Sequence, residues 1–173
     1  DDSKAQASKE IAGSRLSDFE GSILNEFRYK DFDLSLLCTY SIGGKVYDGV
    51  YKGFLYPGYV GQAAHKDRER AWKNPGDITD VPYLEIGKSY ITTTDDLIDA
   101  SYFAIKNITL GYTIPSKILK GAGISSIRLS ATADNLIMFT HLKGMNPQYN
   151  FTGGTTYVYT PSRTISFGLD LKF

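Results

Sequence analysis

The sequence holds two histidines, His65 and His141, and a single cysteine, Cys38. Two imidazoles with no cysteine beside them make a poor metal centre, because zinc sites need a closed set of nitrogen and sulfur ligands. Without a well-placed histidine, a Ser-His-Asp relay has no support, plentiful as serine is. Paired carboxylates such as Asp67 with Glu69, or Asp95 with Asp96, are the residue types that flank a scissile glycosidic bond. Yet Asp67, Arg68, Glu69 and Arg70 alternate in sign, the pattern of solvated or ion-paired loop charges. Asp77 and Asp80, or Asp95, Asp96 and Asp99, offer oxygen ligands for a loop-bound Ca²⁺, although no EF-hand spacing is present. No nucleophile–base constellation is found, so neither an enzyme nor a resident cofactor is expected.

The richer chemistry is aromatic. Tyr47, Tyr51, Phe54, Tyr56 and Tyr59 crowd one stretch, and Tyr149, Phe151, Tyr157 and Tyr159 another. Aromatic faces stack on sugar rings and peptide side chains, and equally pack loops and protein interfaces. Both roles are open for the two series.

The elements that position these groups are strands. Residues 1–18 are polar and read as a loop or frayed lead-in. From Phe19 to Tyr29, Phe19, Gly21, Ile23, Phe27 and Tyr29 share a face, with Leu24 and Asn25 breaking the alternation. From Phe32 to Gly43 the alternation is better, with only Leu37 out of place. Lys30-Asp31 between them is a short hairpin turn. Residues 44–100 lose the pattern, apart from a short helix expected over His65–Trp72 and stopped by Asn74-Pro75-Gly76. Tyr102 to Ile114 is the third strand. Phe103 and Ile105 lie out of phase with Ile108, Leu110 and Tyr112, which predicts a bulge near Lys106. A connector, Pro115–Gly123, leads to a fourth strand from about Ser125 to Phe139, and a second long loop spans 140–162. In the last strand Ile165, Phe167, Leu169, Leu171 and Phe173 alternate without exception against Thr164, Ser166, Gly168, Asp170 and Lys172.

Composition fits this reading. The chain has 173 residues, and its 19 basic and 19 acidic side chains cancel, so no nucleic-acid partner is expected. One cysteine excludes an internal disulfide framework. No apolar run approaches the roughly 18 residues of a membrane helix. Strands of about 10 residues do suffice to cross a bilayer when tilted. Alternating strands joined by short turns at one end and long loops at the other are the outer-membrane barrel arrangement. A soluble sheet packed on a core gives the same alternation. The alternative to a barrel is therefore a secreted or surface β-sandwich that binds carbohydrate through its aromatic loops. Five strands are fewer than the roughly eight of the smallest membrane barrel, so a barrel reading makes this chain a piece whose other strands precede Asp1.

The segments FRYKDFDLSLLCTYSIGGKVYD (27–48), RAWKNPGDITDVP (70–82), SYFAIKNITLGYTIP (101–115), IRLSATADNLIMFT (127–140) and TPSRTISFGLDLKF (160–173) carry a family likeness in order. The chain resembles the C-terminal part of the SusC/RagA-type TonB-dependent outer-membrane transporters of Bacteroidetes. The resemblance implies an all-β fold, with 19–173 as roughly the last five antiparallel strands of a transmembrane barrel of about 22 strands. It implies long extracellular loops at 44–100 and 140–162, and short periplasmic turns. The function implied is TonB-energised import of glycans or peptides across the outer membrane. The implied partners are the plug and earlier strands of the same transporter, a SusD-like lipoprotein, TonB through a region absent from this sequence, and outer-membrane lipids. On this view Tyr47, Tyr51, Phe54, Tyr56, Tyr59, Tyr149 and Tyr157 are candidates for contact with ligand or lipoprotein. Phe173 resembles the terminal aromatic signal of barrel assembly, and as a girdle aromatic it also suits the membrane interface.

Overall fold

The structure, a computed structural model, describes residues 11–56, 61–83, 94–120, 123–143, 146–149 and 159–173, with only the backbone of Asp95 and Tyr149. The described residues fall into two compact units. A strand unit draws on 17–43, 100–141 and 158–173, and a loop unit on 1–16, 44–99 and 142–157.

The strand unit is one five-stranded antiparallel sheet. In chain order it comprises β1 (Phe19–Tyr29), β2 (Phe32–Ile42), β5 (Tyr102–Thr113), β6 (Ser126–Thr140) and β7 (Thr164–Lys172). Each strand pairs with the next of the five, so the sheet is a plain up-and-down meander. Lys30, at a φ of 54°, turns the first hairpin. At the same end, the Thr113 amide donates to the Asp31 carbonyl. β2 stops one residue short of the expected Gly43, whose φ of 84° lies in the left-handed region open to glycine.

Register brings the apolar residues into rows on one face. Phe27, Leu34, Leu110, Ala131 and Phe167 form one row, and Tyr29, Phe32, Tyr112, Leu129 and Leu169 the next. Phe19, Phe27, Phe32, Leu110, Phe139, Phe167 and Leu169 on this face are all exposed. A contiguous apolar surface of that extent marks an interaction with lipid or protein. Leu24 and Leu37, the two leucines out of phase in β1 and β2, are opposite each other on the other face and form a cross-strand pair.

That other face is polar. Asp33 is opposite Gly111 of β5, and Arg128 of β6 is opposite Thr113, two residues along from Gly111. Arg128 reaches over the middle strand to Asp33 at 2.6 Å. Gly111 makes this possible: a Cβ there would sit 2.4 Å from the guanidinium and 2.5 Å from the carboxylate. Further along, Asn107 donates to Asp134 at 2.7 Å, and the Thr109 and Thr132 hydroxyls are 3.1 Å apart.

The expected bulge lies at Lys106 and widens strand by strand. Cys38 and Leu37 of β2 face Ile105 and Asn107, which leaves Lys106 extra. Ile105 and Asn107 in turn face Ile137 and Asp134, so that one residue of β5 opposes two of β6. Asn135, within the widened segment, takes a φ of 50°, a conformation asparagine tolerates better than most residues.

The loop unit holds elements that alternation does not signal. β3 (Lys45–Tyr47) pairs with β4 (Leu97–Asp99), and α1 (Gly49–Leu55) lies between them in sequence. The Asp48 carboxylate caps α1 by accepting from the Tyr51 amide at 3.1 Å, and Asp48 is only 2% exposed. Val46, Val50, Leu55, Ala71, Val81 and Leu142 are buried. The helix expected over His65–Trp72 is a shorter 3₁₀ turn, Lys66–Arg70. It ends because the chain doubles back: the Trp72 amide donates to the Val81 carbonyl at 2.9 Å, and the Thr79 hydroxyl to the Arg70 carbonyl at 2.6 Å. A β-sandwich would need a second sheet against the apolar face. The only other sheet among the described residues has two strands of three residues, so the sandwich alternative is set aside.

Candidate functional site

Within the loop unit, the side chains that sequence reasoning singled out converge on Asp67. α1 presents Tyr51 one turn after its Asp48 cap, and the following 3₁₀ turn presents Asp67 and Arg70. The Phe54 carbonyl fixes the turn's entry by accepting from the His65 amide at 3.0 Å. His65 Nδ1 then accepts from the Asp67 amide at 3.2 Å, an N-cap made by an imidazole. The Tyr51 hydroxyl donates to Asp67 Oδ2 at 2.6 Å. Lys143, from the second long loop, donates to the same oxygen at 2.8 Å and to the Tyr51 oxygen at 3.3 Å. Arg70 approaches Asp67 at 3.3 Å and Asp80 at 3.1 Å. The Lys143 ammonium also lies 4.9 Å from the Tyr51 ring centroid, a cation–π distance, and His65 stacks edge-on to that ring.

The electrostatics follow from these contacts. Hydrogen bonds from Lys143 and then Tyr51 hold the Asp67 carboxyl well below the usual carboxylate range. Lys143 is raised, chiefly by its bond to Asp67 and then by its bond to Tyr51. Tyr51 is raised first by burial and then by donating to Asp67. The cluster therefore holds a fixed carboxylate, an ammonium and a neutral phenol. All are committed to one another, and none is poised to exchange protons near neutral pH.

The other candidates are distributed differently. Tyr47 ends β3 half-buried, with the Lys52 ammonium 5.8 Å from its ring, and Lys52 is ion-paired with Asp96. Phe54 and Tyr56 are half-buried in and just after α1. Tyr59 and Tyr157, like Phe151, lie outside the described residues. Tyr149 closes a short 3₁₀ turn, Pro147–Tyr149, and its side chain is not described. Phe173 is exposed just beyond β7. Of the carboxylates considered for Ca²⁺, Asp77 accepts from the Asn74 and Lys73 amides, which lowers its pKa, and Asp80 is paired with Arg70. Among the described residues no three His, Cys, Asp or Glu side chains converge as metal ligands would. Sequence reasoning missed Lys143 and the Asp48 cap. Lys143 carries no local signal, whereas an Asp directly before Gly-Val-Tyr is a legible helix start.

The strand unit defines the class: a wall of the outer-membrane β-barrel type, apolar on one face and laced with polar bonds on the other. In sequence, the chain is 30% identical over 178 aligned positions to TonB-dependent receptor P3 of Formosa agariphila, an alignment covering 96% of this chain. It is 32% identical to TonB-dependent receptor P39 of the same organism, over 94% of its length. In structure it superposes on the RagAB peptide importer in its closed-closed state with a TM-score of 0.80 at 25% identity, covering 94% of this chain and 18% of that one. A second structure, of the RagAB peptide transporter, gives a TM-score of 0.75 at 26% identity. No family model matches. The chain is the counterpart of the C-terminal part of a SusC/RagA-type TonB-dependent receptor, an outer-membrane protein. It spans 17% of the length of the two Formosa receptors.

Proposed function

We propose that this chain supplies wall and surface loops to a TonB-energised outer-membrane importer, with the apolar rows of β1, β2, β5, β6 and β7 against lipid and the Asp33–Arg128 side toward the lumen. The observation that carries the reading is the division of one sheet into a continuous exposed apolar face and a hydrogen-bonded polar face. β1 and β7 each have one strand neighbour among the described residues. In hydrocarbon an unpaired edge costs several kcal/mol per backbone group, so both edges call for further strands of the same barrel.

The cargo in this reading is a glycan or a peptide, received beneath a SusD-like lipoprotein. Likeness to an importer described as carrying peptide supports the peptide arm. Tyr47 and Tyr56, half-buried in the loop unit, are the aromatics we assign to cargo or lipoprotein contact. The test is uptake of labelled oligopeptides and oligosaccharides by cells carrying the full-length protein with Tyr47→Ala and Tyr56→Ala. Reduced uptake of one cargo class at unchanged barrel yield is expected. Unchanged uptake of both would remove these residues from the path, and equal loss of uptake and yield would make them structural.

A further inference from the structure

The two long loops are far apart in sequence, yet their described parts belong to one compact unit. Side chains from both loops meet at Asp67. From 44–83 come Tyr51, His65, Asp67 and Arg70; from 142–149 comes Lys143, whose ammonium reaches Asp67 at 2.8 Å and Tyr51 at 3.3 Å. A second fastening lies close by in sequence: the Arg15 guanidinium donates to the Pro147 carbonyl at 3.3 Å. The lead-in is itself tied down, with the Lys45 amide donating to the Ser14 carbonyl at 2.7 Å and the Lys45 ammonium to the Ala12 carbonyl at 3.2 Å. Leu142 and Pro147, which bracket this part of the second loop, are both buried.

We propose that Asp67 is a clasp that fastens the second long loop to the first through Lys143 and Tyr51, so that the two loops move as one body. Asp67 suits the part because its side chain is 14% exposed and its Oδ2 accepts from Tyr51 and Lys143 and is ion-paired with Arg70. Charge-assisted bonds converging on one shielded oxygen are stronger than isolated surface pairs. Lys143 itself is half-exposed, so the clasp can open without unfolding either loop.

Hydrogen exchange by mass spectrometry on the full-length protein in detergent tests this, because it reads the loops whether or not the protein carries any cargo. Asp67→Ala and Lys143→Met should each speed exchange in peptides covering 140–149 and in those covering 49–70 by roughly tenfold or more. The double variant should add little to either single change, since both remove the same fastening. Lys143→Arg should restore protection, and peptides of β1, β2, β5, β6 and β7 should be unchanged throughout. Faster exchange confined to the mutated loop would overturn the proposal, as would additive effects. Strand peptides that loosen along with the loops would mean that Asp67 serves the fold at large, which also defeats it.

Discussion

The neighbours of Asp67 hold its pKa below the usual carboxylate range, and the sign of each shift fixes when the clasp holds. A carboxyl whose folded pKa is depressed contributes stability that is complete above its unfolded value, about 3.9, and lost as pH falls through the folded one. Lys143, raised in the folded state, contributes stability that is complete below about 10.4 and lost as pH rises through its folded value. Between these limits neither changes charge. Titration of Asp67 and Lys143 should therefore leave loop protection, corrected for intrinsic exchange, unchanged from about pH 5 to about pH 9. A step inside that window would point to His65, whose Nδ1 accepts from the Asp67 amide and lies 3.6 Å from Asp67 Oδ2. Tyr51→Phe is the finer probe: it removes the hydroxyl and keeps the ring, so it should weaken protection less than Asp67→Ala does. At this scale the sequence was only partly legible. Sign alternation over Asp67–Arg70 reads as solvated or ion-paired charges; Asp67 is paired, but its partner Lys143 comes from a distant loop that no local spacing connects. Tyr51 reads from the sequence as an aromatic for ligand or lipoprotein contact or for loop packing, and its hydroxyl bond to Asp67 is not signalled.

Strands were the most legible elements, because a sheet with one face buried or in lipid forces strict alternation and leaves it written in the residue types. β1 matches its expected bounds, β2 and β7 are one residue shorter than expected, and β5 and β6 end within a residue of expectation. What alternation could not convey was the content of 44–100. α1 is a single short helix with two glycines, and β3 and β4 have three residues each, below the length at which any period is visible. The pairing of Leu24 with Leu37 shows why two apparent errors in adjacent strands can be one feature. Gly111 gives the sharpest prediction at this scale. Gly111→Val would drive methyl groups into the Asp33–Arg128 bridge, costing about 1–3 kcal/mol as overpacking does and more if the ion pair parts. Equilibrium unfolding of the full-length barrel should show that loss, and Gly168→Ala should cost less, since its nearest neighbour is the Ser130 hydroxyl, which can rotate away.

For the whole molecule, the decisive matter is where the apolar face sits. Leu169→Arg, opposite Leu129 on that face, should hinder membrane assembly at a cost of roughly 2–4 kcal/mol for a midplane charge. The same change at Ser166, on the polar face, should be tolerated. Normal assembly of Leu169→Arg would count heavily against a lipid-facing sheet. Unboiled outer membranes, probed for an epitope in 140–162, should show a band far larger than this chain that shifts on boiling. A band at the size of the chain alone, without a shift, would leave the sheet outside any closed barrel. Barrel membership was legible through loop-length asymmetry and family likeness together, whereas cargo is not written in strands at all. The widening at Lys106 bears on how such walls change over generations. Without Lys106, β5 would alternate perfectly, so the strand has the form of one that gained a residue and kept both halves facing as before. Deleting Lys106 should therefore leave barrel yield nearer to that of the unaltered protein than deleting Leu110, which would turn half of the strand inside out.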